Sequence, residues 1–136
     1  MTKDEANAYL LERATNEGIS FDDLMNMIPD VVSDDPTQAA EFCQLRDYSH
    51  IVAISEAPSL ASDPSNAFFE HPSPNRSRGA EEATPQEIAH AQRDAEILAQ
   101  HIDADTTGSY IYEPHQPVEE TSYDWVLDMF AIPFPA

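Results

Sequence analysis

Eleven prolines stand against three glycines in 136 residues, and their positions divide the chain into stretches that can be helical and stretches that cannot. Proline fixes φ near −65° and has no N–H to donate, so it suits the first turn of a helix and ends one elsewhere. Pro29 predicts the close of a helix ahead of it. Pro36 and Pro85 each follow a capping residue, Asp35 and Thr84, where proline opens a helix. Pro58, Pro64, Pro72 and Pro74 crowd one segment, Pro114 and Pro117 another, and Pro133 and Pro135 break up the apolar end. A compact helical part with stiff irregular segments is the expectation.

Between these breaks, apolar residues recur at helical spacing. Residues 2 to 17 read as a helix, with Thr2 and Glu5 spaced as a capping box and Ala6, Tyr9, Leu10 and Ala14 on one face. Gly18 ends it. Ile19 and Leu24 fit a hydrophobic staple around Ser20, opening a second helix whose inner residues are Phe21, Leu24, Met25 and Ile28. A third helix starts behind Asp35, with Gln38 three residues after the cap. Its end admits two readings: "HIVAIS" is rich in β-branched residues, yet no turn signal separates it from Leu45, so continued helix is expected. The strongest helical signal is "ATPQEIAHAQRDAEILAQHI". There Thr84 and Glu87 form a second capping box, and Ile88, Ala91, Ala95, Leu98 and Ile102 form one apolar stripe.

Residues 58–79 carry four prolines and many serines without sustained periodicity, the composition of a linker or arm. Phe68 and Phe69 imply that this arm docks, on its own domain or on a partner. "GSYIYEP" reads as a short strand or extended segment, and Thr121 with Asp124 caps a last helix, "SYDWVLDMF". The fold class expected is therefore mainly α: a small helical domain with a proline-rich extended arm and at most a short β segment. Its regions are an acidic helical part at 1–57, the arm at 58–79, and an acidic helical part with an aromatic C-terminal segment at 80–136, together one folding unit.

Charge then says what such a domain can meet. Asp and Glu number 26 and Lys and Arg 6, a formal charge of −20. That field repels nucleic acid and anionic membranes, draws basic proteins and costs the folded state some self-repulsion. The excess lies in the two flanking regions, while the arm balances two acids with two bases. A net charge of roughly 2 to 8 already keeps a small domain soluble, so solubility alone does not account for it. A salt-loving host is an alternative source, but arginine should then replace lysine, and five arginines beside Lys3 do not show that. Cys43 stands alone, so no internal disulfide forms and a reducing, cytoplasmic compartment is expected. No window approaches the ~18 apolar residues of a membrane span, and the first residues lack a long apolar run. The expectation is a soluble, untargeted protein, in the host cytoplasm if it is viral.

The stretch "HIDADTTGSYIYE" is the best candidate for chemistry. Asp103, Asp105, Thr107 and Gly108 match positions 1, 3, 5 and 6 of a calcium loop, but position 12 is Pro114 rather than a bidentate glutamate. An Asp-x-Asp-x-Thr phosphoryl-transfer site would need a buried parallel strand just before it, where this chain has an amphipathic helix. A helix ending near Asp103 and an acidic turn fit better. His90 and His101 lie eleven residues apart, about 16 Å along a helix, too far to share a metal. His71 and His115 sit beside prolines, and His50 in a helix, so the histidines are expected to be structural. Cys43 within "AAEFCQL" reads as a small core residue. Adjacent acids such as Asp22 and Asp23 point apart on a helix and suit caps better than a catalytic pair. No enzyme, metal or cofactor is expected.

What remains is surface. Glu5 and Glu12, Glu87 and Asp94, and Glu96 and Asp103 are each seven residues apart, placing both members on one helix face about 10 Å apart. Carboxylates so spaced approximate the anionic ridge of a nucleic acid, whose strands carry a phosphate about every 3.4 Å of rise. The C-terminal "YDWVLDMF" has the form of an amphipathic segment that lies in a partner's groove or packs on its own core. The expected function is an acidic, protein-binding inhibitor that mimics nucleic acid toward a basic DNA- or RNA-handling protein, as anti-defence proteins of viruses and mobile elements do. Its contact residues would be Glu87, Asp94, Glu96, Asp103, Asp105, Glu119, Glu120, Asp124, Trp125, Asp128, Met129 and Phe130. The competing expectation is a structural component, such as a virion protein, whose arm and C-terminus thread between subunits of an oligomer.

Overall fold

The computed structural model describes residues 1–116. Among them are six α-helices and a two-stranded antiparallel sheet: α1 (Lys3–Glu17), α2 (Phe21–Met27), α3 (Asp30–Ser33), α4 (Pro36–Leu45), β1 (Asp47–His50), β2 (Ala67–Glu70), α5 (Pro72–Arg78) and α6 (Pro85–Asp103). The domain is mainly α. The expected helix from Thr121 and the proline-broken end lie outside the described residues.

Helix starts follow the capping chemistry. Thr2 and Thr84 each accept a hydrogen bond from the N–H three residues on, and the Glu5 and Glu87 carboxylates accept in turn from the threonine N–H, all at 3.1 Å. Ser20 caps α2 and Asp35 caps α4. At the other end of α1, Gly18 takes φ 71°, the left-handed conformation that closes a helix without a Cβ penalty. Its missing side chain also matters for packing, since a Cβ there would clash with the Ser62 side chain.

One core joins these elements. Ala6, Leu10 and Ala14 of α1 meet Leu24, Ile28 and Val32, the Ala39–Ala40–Phe42–Cys43 face of α4, and Ala95, Leu98, Ala99 and Ile102 of α6. Alanines at so many of these positions let the helices approach closely, while Phe42, Leu10 and Leu98 fill the centre. Cys43 lies in this core, and burial pushes its thiol up to about 12. The stripe on α6 faces inward as its spacing requires, with Ala91 in a smaller cluster beside Phe68 and Ala83, and Ile88 packed against it.

Three features depart from the sequence reading. After Pro29 the chain makes another turn of helix, α3, which buries Val32. The third expected helix stops at Leu45. Arg46 is extended (φ −133°, ψ 145°), and the strand that follows is "DYSH", ahead of the β-branched run. Its partner is β2, with Tyr48 opposite Phe69 and Ser49 opposite Phe68. The proline-rich segment therefore docks on its own domain, and it carries both β2 and α5. Phe69 packs edge-on against Phe42 at 5.4 Å and Tyr48 at 5.6 Å. The intervening loop is closed by Asn66, whose side chain accepts from Val52 N–H at 3.0 Å and donates to its carbonyl at 3.1 Å.

Beyond α6 the chain reverses at Asp105 (φ 56°), makes a short 3-10 turn at Thr107–Ser109, and returns along α6 as an irregular strap to residue 116. His101 Nδ1 donates to the Thr106 carbonyl at 3.1 Å, and His90 Nε2 to the Glu113 carbonyl at 2.8 Å, pinning both ends of the strap. A helix ending at Asp103 and an acidic turn were expected, and that is the arrangement found.

Candidate functional site

In a chain so short of cations, the buried carboxylates decide where the cations go. Only Glu70 and Asp94 are buried among the 22 acids of residues 1–116. A buried charge without a partner is strongly unfavourable, and each has its own arginine. Arg78 grips Glu70 through both terminal nitrogens at 2.8 Å and gives Nε to Glu87 at 3.1 Å. Arg46 gives Nε and Nη2 to Asp94 at 2.8 and 3.2 Å, and its remaining donors reach the Leu45 carbonyl and the Tyr110 hydroxyl. Tyr110 also donates to Asp94, and burial together with this bond holds its hydroxyl well above the usual tyrosine range. A third arginine, Arg13, is half-buried on Tyr9, the Cys43 carbonyl and Glu17.

This use of cations leaves Lys3, Arg76 and Arg93 as the exposed bases, against twenty acids that are not buried. Between Ala14 and Leu45 the chain has seven carboxylates and no Lys or Arg, and α2, α3 and the start of α4 all lie in that run. Some of the acids outside the core take part in helix caps. Hydrogen bonds from Thr2 keep the Glu5 carboxyl below the usual range, and Thr37 does the same for Asp35.

The contact residues named from sequence divide among three environments. Glu96, Asp103 and Asp105 are exposed on the outer side of α6 and at its end, so the Glu96–Asp103 pair faces solvent, as does Glu5–Glu12 on α1. Glu87 is half-buried. Burial works against its ionisation, but the Thr84 N–H and the Arg78 guanidinium outweigh it, so its carboxyl sits below the ordinary range. Asp94 corrects the expectation: its turn of α6 faces Arg46 and Tyr110, and at 7% exposure it is withdrawn from the surface. Glu119, Glu120, Asp124, Trp125, Asp128, Met129 and Phe130 lie outside the described residues.

The structure also assembles a polar cleft where the sequence showed scattered histidines. Tyr112 of the strap stacks on His71 at 4.0 Å between ring centroids, and His90 meets Tyr112 edge-on at 6.0 Å and His115 at 5.3 Å. His71 Nδ1 accepts the Ser73 N–H at 3.1 Å, capping α5, so that nitrogen carries no proton. Burial and the nearby Arg46 lower its affinity for a proton, with Asp94 and Asp47 opposing. Among the described residues no three His, Cys, Asp or Glu side chains stand where they could share a metal ion.

Beside this ring cluster, and sharing Tyr112 and His115 with it, an open groove of ≈ 580 Å³ runs between α5, the α5–α6 turn and the strap. Glu87, His90 and Asp94 follow helical spacing on one α6 face, so part of the cleft was visible in the sequence. His71, Tyr112 and His115 arrive through the strap and the β2–α5 junction, for which local spacing carries no signal. Comparison of the chain with protein-family models, with curated proteins and with solved structures finds no match.

Proposed function

We propose that this protein binds a basic protein through its carboxylate surface, and that it acts as a nucleic-acid-mimicking inhibitor of a DNA- or RNA-handling partner. The carrying observation is the division of cations between interior and surface. Arg46 and Arg78 neutralise the two buried acids, and the remaining excess faces outward with only Lys3, Arg76 and Arg93 exposed beside it. Evolution of a soluble surface alone would not require this excess, which opposes folding through self-repulsion. The exposed pairs Glu5–Glu12 and Glu96–Asp103 supply carboxylates about 10 Å apart on two helices, close to three phosphate intervals of about 3.4 Å along a strand.

The competing reading, a virion or other assembly component, drew on an arm and an apolar C-terminus that thread between subunits. Residues 67–78 form β2 and α5 of the same domain, which removes the arm from that reading, and the C-terminus lies outside the described residues.

The test is capture from the native host at 50 and 500 mM salt, with and without competing duplex DNA. A nucleic-acid-binding protein retained at low salt, lost at high salt and displaced by DNA is the expected result. The variant Glu5→Gln, Glu12→Gln, Glu96→Gln, Asp103→Asn should weaken that complex at least ten-fold. Retention that is indifferent to both salt and DNA would overturn the proposal.

A further inference from the structure

We infer that the groove between α5 and the strap, rather than the helix ridges alone, receives an arginine-bearing loop of the basic partner. This inference rests on the proposed function and names the place where that partner inserts a side chain.

The argument is one of charge and shape together. Arg78 lies in the groove wall, but its guanidinium is matched by Glu70 and Glu87, so it presents no net positive charge to an incoming group. Glu81, on the turn between α5 and α6, is exposed and adds an uncompensated carboxylate at the mouth. The groove is therefore anionic as well as sitting in an anionic protein. Pro74, Pro114, Tyr112 and His115 give it rigid or aromatic surfaces that suit the planar guanidinium and its hydrocarbon stem better than a compact ammonium, and the Ser73, Ser77 and Thr84 hydroxyls beside them can accept from its N–H groups. At ≈ 580 Å³ the space admits a side chain together with the turn that carries it. A flat acidic ridge attracts lysine and arginine alike. A groove with these walls prefers arginine.

The test is an NMR titration of the full-length protein with hexa-arginine and, separately, hexa-lysine at low salt. Hexa-arginine should perturb the amides of Ser77, Glu81, Thr84 and Tyr112 first and bind at least five-fold more tightly than hexa-lysine. The groove variant Glu81→Gln, Tyr112→Ser should abolish that preference, while the ridge variant Glu96→Gln, Asp103→Asn should keep it. Ser and Gln leave both buried arginine pairs in place, and an unchanged melting temperature confirms that the groove variant is folded. Loss of binding in the ridge variant alone would overturn the groove and leave the proposed function standing. No binding of either peptide at low salt would count against the function itself. A dimer abolished by the groove variant, or groove amides that hexa-arginine never moves, would assign the groove to a second copy or to this chain's own residues and overturn the inference.

Discussion

Replacing Asp94 by asparagine separates a structural carboxylate from a contact carboxylate in one experiment. Asp94 and Arg46 are 7% and 4% exposed, and two hydrogen bonds of 2.8 and 3.2 Å join them. Removing one partner of such a pair leaves the other charged and buried, which costs about 3–5 kcal/mol. Asparagine keeps one acceptor for the guanidinium, and Arg46 retains the Leu45 carbonyl and Tyr110 hydroxyl, so about 3 kcal/mol is expected. That is a large share of the ~5–15 kcal/mol typical of a domain. At roughly 3–5 °C per kcal/mol for a chain of this size, Tm should fall on the order of 10 °C. Urea unfolding followed by circular dichroism would show a lower midpoint with an unchanged slope. Glu96→Gln, two residues away on the solvent face, should stay within about 0.5 kcal/mol of wild type. Replacing both members, Asp94→Leu with Arg46→Met, should recover most of the loss because no orphan charge remains. A loss below about 1 kcal/mol for Asp94→Asn would refute this account of the interior.

Phe69→Ala should destabilise by about 3–5 kcal/mol in the same urea assay, because Phe69 packs on Phe42 and Tyr48 in the main core; a small effect would return the 58–79 segment to the status of a loose arm. Gly18→Ala should cost about 1–2 kcal/mol for its left-handed backbone, plus a clash with Ser62 that Ser62→Gly in the same background relieves. His71 binds a proton less readily when folded than its ordinary value of 6.5, so its contribution to stability is complete above 6.5 and declines as pH falls through the lower folded value. His71→Asn keeps an oxygen to cap α5 but cannot titrate, and urea midpoints measured across this range should show a shallower acid-side decline than wild type.

Helix starts and core faces were legible in the sequence because their causes are local. Thr2–Glu5 and Thr84–Glu87 satisfy N–H groups within four residues, and the α6 stripe needs only a 3.6-residue period. What escaped depended on partners far along the chain. Arg46 leaves helical geometry where its side chain reaches Asp94, 48 residues away, and "DYSH" becomes a strand because "AFFE" lies beside it. Asp94 was misread for the same reason. Its heptad spacing from Glu87 is real, but Asp94 is covered by Arg46 at the end of α4 and by Tyr110 of the strap, which no helical period reveals. Phe68 and Phe69 did signal docking, since two adjacent phenylalanines are costly to leave in water.

The acidic surface makes a prediction in which folding and binding respond to salt with opposite signs. Two carboxylates about 10 Å apart repel by about 0.4 kcal/mol in water, and many such pairs cover this domain. At 0.01 M salt the screening length is about 30 Å and most of that repulsion persists, whereas at 1 M it is about 3 Å and little survives. The Arg46–Asp94 and Arg78–Glu70 pairs are shielded from the solvent and respond far less. Stability should therefore rise with sodium chloride over this range, as measured by thermal unfolding, while affinity for the proposed basic partner falls. A surface selected only for a salty environment also gains stability with salt, but it has no partner whose affinity declines in parallel. If stability fell as salt increased, attractive surface pairs would have to outweigh the repulsion, which three exposed bases among twenty carboxylates cannot provide.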